Sequence, residues 1–172
     1  PIYIYTEAKT WAPPINNNSS GTIDINANRA NKCTNSATDT TSGLCIYAEG
    51  DKNFASDTSN GGIRNGANGL ININGGTIYG GFQGINNNGI GTINIVNSEI
   101  KTDKYAILNN STGTINVCNS TVNSSANSDL YNNNGTINYS SSVTFTSGNN
   151  TPTIYQNSGT INNNYTGTCK TS

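Results

Sequence analysis

Glu99, Lys101, Asp103, Lys104 and Tyr105 form the densest group of ionisable side chains in this 172-residue sequence. Sugar-cleaving enzymes need clustered acids, with a base in reach, for general acid–base chemistry. Here the charges are mixed on one turn, which reads as a solvated face, with contact to carbohydrate as the sharper alternative. The nine acids of the chain are otherwise scattered. Without a histidine, no Ser-His-Asp or Cys-His pair can form. The glycines are spread along the chain and do not gather as a phosphate loop before a helix. The sequence therefore predicts no catalytic residue, no cofactor and no metal.

The other reactive side chains are Cys33, Cys45, Cys118 and Cys169. Four cysteines allow three pairings. No C-x-x-C spacing is present, which argues against zinc. Cys33 and Cys45 are near enough in sequence to close a loop. Cys118 directly follows an apolar strand and reads as a small buried hydrophobe. A Cys118–Cys169 bond would require the final tail to fold back. At least one disulfide is expected, Cys33–Cys45 first, and with it an oxidising compartment.

The elements that must position these groups follow from a repeat. Gly21-Thr22-Ile23-Asp24-Ile25 returns at Gly69, Gly91, Gly113, Gly135 and Gly159, the last five spaced 22, 22, 22 and 24 residues apart. The interval from Gly21 to Gly69 is 48 residues, about two periods. A fixed period of this size marks a repeat architecture. A second apolar point recurs at Ile78, Ile100, Val122 and Val143 with Phe145. A third recurs at Ile63, Ile85, Ile107, Leu130-Tyr131 and Ile154-Tyr155. Asn-rich corners such as Asn86-Asn87-Asn88 lead back to the glycine.

In Thr-Ile-Asn-Ile the side chains alternate between faces, isoleucines to one side. Such a short strand buries its Ile face only by stacking on equivalent strands about 4.8 Å away. Gly and Asn tolerate positive φ and suit the corners. Three strands per period predict an all-β fold: a right-handed parallel β-helix (β-solenoid) with about 22 residues per coil and roughly six coils, about 30 Å long. Thr22, Thr92, Thr114, Thr136 and Thr160 are expected to stack in one outward column. Asp24, Asn72, Asn94, Asn116, Asn138 and Asn162 are expected to stack beside it.

Composition agrees. Only 32% of residues are hydrophobic and 10% charged, with a net charge of −1. A thin rod needs less apolar residue than a round globule. No basic patch is present to track a phosphate backbone, so nucleic acid is not an expected partner. No apolar run approaches the roughly 20 residues that cross a bilayer, so membrane insertion is not expected. No leader peptide is visible, and the chain reads as a mature form or an excised segment.

Residues 1–14 read as an N-terminal cap or an inter-subunit strand, with Ile2, Tyr3, Ile4, Tyr5 and Trp11 as the contacts. Residues 15–165 read as the solenoid, and residues 166–172 as a tail. Residues 26–62 are irregular. One register makes Gly43-Leu44-Cys45-Ile46-Tyr47 a coil equivalent to Gly21. Another makes Cys33 to Cys45 an excursion on a single long coil.

The coils Gly75-Gly76-Thr77-Ile78, Gly91-Thr92-Ile93-Asn94-Ile95 and Gly113-Thr114-Ile115-Asn116-Val117, with the corner Ala106-Ile107-Leu108-Asn109-Asn110, resemble bacterial surface β-helices. These are the passenger domains of autotransporters and the cell-surface adhesins of gut bacteria. Two departures are the four cysteines and the absence of a membrane barrel or wall-anchor motif. The resemblance implies an extracellular, cell-surface structural or adhesive protein, not an enzyme. It would present loops or polymerise head-to-tail into a fibre. Its partners would be other copies of itself or the rest of a longer surface protein, and host or surface glycans. The alternatives are a carbohydrate-binding or polysaccharide-degrading β-helix, and an ice-binding solenoid using the Thr/Asn ladder.

Overall fold

The computed structural model describes residues 2–6, 13–27, 44–48, 61–147 and 151–169. Among these no helix occurs. The strands group into triplets, one triplet per coil. The first coil is β1 (Ile2–Thr6), β2 (Ile15–Asn17) and β3 (Thr22–Asn26). The second is β4 (Leu44–Ala48), β5 (Gly61–Asn65) and β6 (Leu70–Asn74). The third is β7 (Thr77–Gly80), β8 (Gln83–Asn87) and β9 (Thr92–Val96). The fourth is β10 (Glu99–Thr102), β11 (Tyr105–Asn109) and β12 (Thr114–Cys118). The fifth is β13 (Thr121–Ser124), β14 (Ser128–Asn132) and β15 (Thr136–Tyr139). The sixth is β16 (Thr144–Phe145), β17 (Ile154–Gln156) and β18 (Thr160–Asn162).

Equivalent strands pair in parallel into three six-stranded sheets, here called A (β1 to β16), B (β2 to β17) and C (β3 to β18). The chain is a parallel β-solenoid. The regular 22-residue period accounts for the middle of the stack; the first step in sheet C is 48 residues and the last 24.

Each sheet contributes an inward column. Ile4, Ile46, Ile78, Ile100, Val122 and Phe145 align in sheet A. Ile15, Ile63, Ile85, Ile107, Leu130 and Ile154 align in sheet B. Ile23, Ile71, Ile93, Ile115, Ile137 and Ile161 align in sheet C. The expected core residues Ile71, Ile73, Ile93, Ile95, Ile115, Val117 and Ile137 are all buried, while Thr92 and Asn94 face outward and are partly exposed.

The repeated glycine has a steric cause. A Cβ on Gly113 would fall within contact of the carbonyl oxygens of Gly91 and Gly89, so backbone packs on backbone at this corner. The corner from sheet C to sheet A takes positive φ at Gly75 (85°), Asn97 (54°) and Asn119 (43°), as do two of the repeated glycines, Gly135 (77°) and Gly159 (76°). This is a conformation that Gly and Asn enter at least cost.

Three expectations are corrected. Leu44–Ala48 is not equivalent to Gly21-Ile25 of sheet C; it lies in sheet A, between β1 and β7. Tyr47 stacks on Tyr79 at 4.8 Å there, and Ile46 enters the inward column. The 48-residue interval is therefore one enlarged coil, in line with the second of the two registers and not with two periods; residues 28–43 and 49–60 lie outside the described residues. Second, β1 is the sheet A strand of the first coil, so the repeat starts before residue 15. Third, Phe145 and not Val143 continues the column of Val122.

Candidate functional site

Alternation on β10 turns Ile100 inward and Glu99 and Lys101 outward. Lys101 Nζ and Glu99 Oε1 pair at 3.1 Å, and Thr77 Oγ1 donates to Glu99 Oε2 at 3.3 Å. Asp103 and Lys104 follow at the corner between sheets A and B. Tyr79 donates its hydroxyl to Asp103 Oδ2 at 3.1 Å. Lys104 Nζ sits 4.3 Å from the ring centre of Phe82 and 5.6 Å from that of Tyr105, within cation–π range. The five candidate residues thus divide. Glu99 and Lys101 neutralise each other on sheet A, whereas Asp103 and Lys104 line a shallow cleft of about 340 Å³ with Phe82, Ser125 and Asn127. Such a cleft offers a cation, a carboxylate and hydroxyl and amide groups over a buried Phe82 ring that Lys104 already covers.

Tyr105 begins an aromatic row on sheet B. It meets Tyr131 edge-on at 4.9 Å, and Tyr131 stacks on Tyr155 at 4.5 Å. Burial, and then the neighbouring Tyr155 and Tyr105 hydroxyls, hold the Tyr131 phenol above its ordinary pKa.

The sulfurs of Cys118 and Cys169 are bonded, with Cα atoms 6.0 Å apart. The tail does fold back: Tyr165 N donates to Tyr139 O, and Cys169 then reaches the end of β12, two coils behind β18. Cys45 is also disulfide-bonded. The expected Cys33–Cys45 pairing rests on Cys33, which lies outside the described residues, as does Trp11. Of the expected assembly contacts, Ile2, Tyr3, Ile4 and Tyr5 lie on β1, where they pair with Leu44 to Tyr47; the Ile4 side chain packs against the core.

The expected asparagine column of sheet C is present, and two further polar devices escape a reading of the sequence alone. The outward asparagines of sheet C are joined side chain to side chain. Asn72 Nδ2 donates to Asp24 Oδ1 at 2.7 Å, Asn94 to Asn72 at 2.9 Å, and Asn116, Asn138 and Asn162 each to the asparagine before at 2.8 Å. A second amide column lies inside the corner between sheets B and C. There Asn65, Asn87 and Asn109 each donate to the glycine carbonyl four residues on.

The other device is Asp129, fully buried in the column that elsewhere holds Gly62, Gly84 and Ala106. Its Oδ1 accepts from Ser124 N at 2.9 Å. Its Oδ2 accepts from Ser147 Oγ, from Thr153 N at 2.9 Å and from Thr153 Oγ1 at 2.8 Å. An acid at a position otherwise held by Gly or Ala was the available signal.

Among the described residues no group of three His, Cys, Asp or Glu side chains could hold a metal ion, and no helix is long and apolar enough to cross a membrane. No known protein family, curated protein or solved structure matches this chain.

Proposed function

We propose that this chain is a rigid module of an extracellular structural or adhesive surface protein, a rod that carries loops rather than a catalyst. The observation that carries the reading is the pairing of a continuous parallel solenoid with a disulfide. A fold built from ladders is stiff and elongated, and a Cys118–Cys169 bond persists in a non-reducing compartment. The amide ladder on sheet C spends outward polar groups on cohesion between coils, which suits a load-bearing element. Antibody labelling of intact cells that express the protein tests the placement. Signal on unpermeabilised cells is expected; signal only after permeabilisation contradicts it.

A second reading, contact with carbohydrate, is favoured by the cleft at Phe82, Asp103 and Lys104. A cation, a carboxylate and adjoining hydroxyl and amide groups are polar partners for sugar hydroxyls. Binding to a glycan array that is lost in Asn127→Ala supports it; equal binding by both proteins argues against it.

A further inference from the structure

Six Asn-Gly pairs occur in the sequence, and five lie wholly within the described residues: Asn65-Gly66, Asn68-Gly69, Asn74-Gly75, Asn88-Gly89 and Asn134-Gly135. In such a pair the glycine nitrogen can attack the asparagine side-chain carbon, because no Cβ on the following residue obstructs the five-membered ring that closes. The attack needs a nitrogen not held by another acceptor, close to that carbon and within reach of water.

The fold withholds these conditions from three pairs. Gly66 N donates to Asn17 O at 2.8 Å, Gly75 N to Val96 O at 2.9 Å and Gly89 N to Asn65 O at 3.0 Å. Two of the asparagines are held as well. Asn65 is fully buried with its Nδ2 on Gly69 O, and Asn74 Oδ1 accepts from Asn97 Nδ2. In the fourth pair Asn68 is exposed, but Gly69 is buried and no hydrogen bond joins its N–H to the Asn68 side chain.

Asn134-Gly135 meets all three conditions. Asn134 is exposed at the corner between β14 and β15, and Gly135 is half-buried. Among the described residues Gly135 N has no backbone acceptor; it donates to Asn134 Oδ1 at 2.9 Å. The carbon to be attacked, Asn134 Cγ, is one bond from that oxygen. Nucleophile and electrophile are thus held close together before reaction, which is where much of a barrier is removed.

We infer that Asn134 is a self-modification site, deamidated by the backbone nitrogen of Gly135. That nitrogen gives its proton to hydroxide and bonds to Asn134 Cγ. The Cγ–Nδ2 bond breaks, and Nδ2 takes a proton from water and leaves as ammonia. Water then opens the cyclic imide at either of its carbonyls, leaving an aspartyl or an isoaspartyl link. The net change is the hydrolysis of one amide, water in and ammonia out. The product carries a new negative charge, and the isoaspartyl form lengthens the backbone at the corner. Gly135 O accepts from Thr160 N at 2.8 Å and from Asn132 Nδ2 at 3.3 Å, so this corner ties the fifth coil to the sixth. Displacing it loosens the last coil, and the site acts as a clock that marks the age of the molecule. The inference stands apart from the surface role proposed above.

Ageing of the full chain at mildly alkaline pH, followed by peptide mapping by mass, tests this, with a parallel sample in urea. In the folded protein the exchange of NH2 for OH is expected at Asn134 at least about tenfold faster than at each of the other four asparagines. Its rate is expected to rise with hydroxide, and in urea the five rates are expected to converge. Asn134→Gln, at an exposed position, demands a larger ring and is expected to fold normally and to escape the reaction. Equal rates at Asn134 and Asn68 in the folded protein overturn the inference. So does an unchanged Asn134 while the urea sample reacts. Protease sensitivity of the segment after Ile154 is expected to grow with the modified fraction and to stay low in Asn134→Gln aged alongside. Equal sensitivity in the two aged proteins overturns the link to the last coil.

Discussion

Asn116 Nδ2 donates to Asn94 Oδ1 at 2.8 Å, joining residues 22 apart in sequence and one coil apart in space. Asn138 makes the same bond to Asn116, so Asn116 is both donor and acceptor and is almost fully shielded. Asn116→Asp keeps the acceptor, removes the donor and sets two oxygens face to face. A loss of about 1–3 kcal/mol is expected in urea unfolding. Thr114→Ala, on the same strand and partly exposed, is expected to stay within about 0.5 kcal/mol. Equal losses would mean that the amides stack without bonding.

Ile93 fixes the register. It is fully buried between Ile71 and Ile115. Ile93→Val is expected to cost about 1 kcal/mol and Ile93→Ala about 2–5 kcal/mol. Ile93→Asp is expected to prevent stable folding, because an unpaired charge would be buried. If Thr92→Ala proved the more damaging change, the strand would be turned over.

The Cys118–Cys169 bond closes a separation of 51 residues. The chain-entropy account gives such a closure about 4 kcal/mol. Cys169→Ser is expected to lower the unfolding midpoint and to expose the segment after Tyr165 to protease. An unchanged midpoint with unchanged cleavage would show that Tyr165 and the ladder alone hold the tail.

Asp129 secures Ser147 and Thr153 against the corner that precedes β14. Asp129→Ala leaves Ser124 N and Thr153 N without their acceptor, for an expected loss of about 2–4 kcal/mol. Asp129→Asn is expected to fall between, since its amide group meets the Thr153 N–H. Chemical denaturation of the three proteins checks the order, and an Asp129→Ala protein as stable as the natural one would exclude the clasp.

The sequence made the repeating part of the fold legible because stacking forces like onto like. With a period of 22, Ile93, Ile115 and Ile137 must share a column, and the alternation of Thr and Asn sets their outward neighbours. The same logic left two registers open at Leu44-Cys45-Ile46-Tyr47. This segment copies the local pattern of a sheet C strand, and only its pairing with β7 assigns it to sheet A. The candidate charged site was half legible. Proximity in sequence joined Glu99 to Lys104, but alternation and the corner separate Glu99 and Lys101 from Asp103 and Lys104. The direction of the amide ladder and the clasp at Asp129 depend on side-chain orientation, which a column of letters does not contain.

The surface role proposed above requires that the Cys118–Cys169 bond exist in the protein as the cell makes it. The most direct test takes the protein from its source cells, quenches it in an alkylating reagent without reductant, and maps the peptides by mass. The peptides carrying Cys118 and Cys169 are expected to be linked to each other and unlabelled. Both cysteines labelled in protein that has never met a reductant would contradict the account.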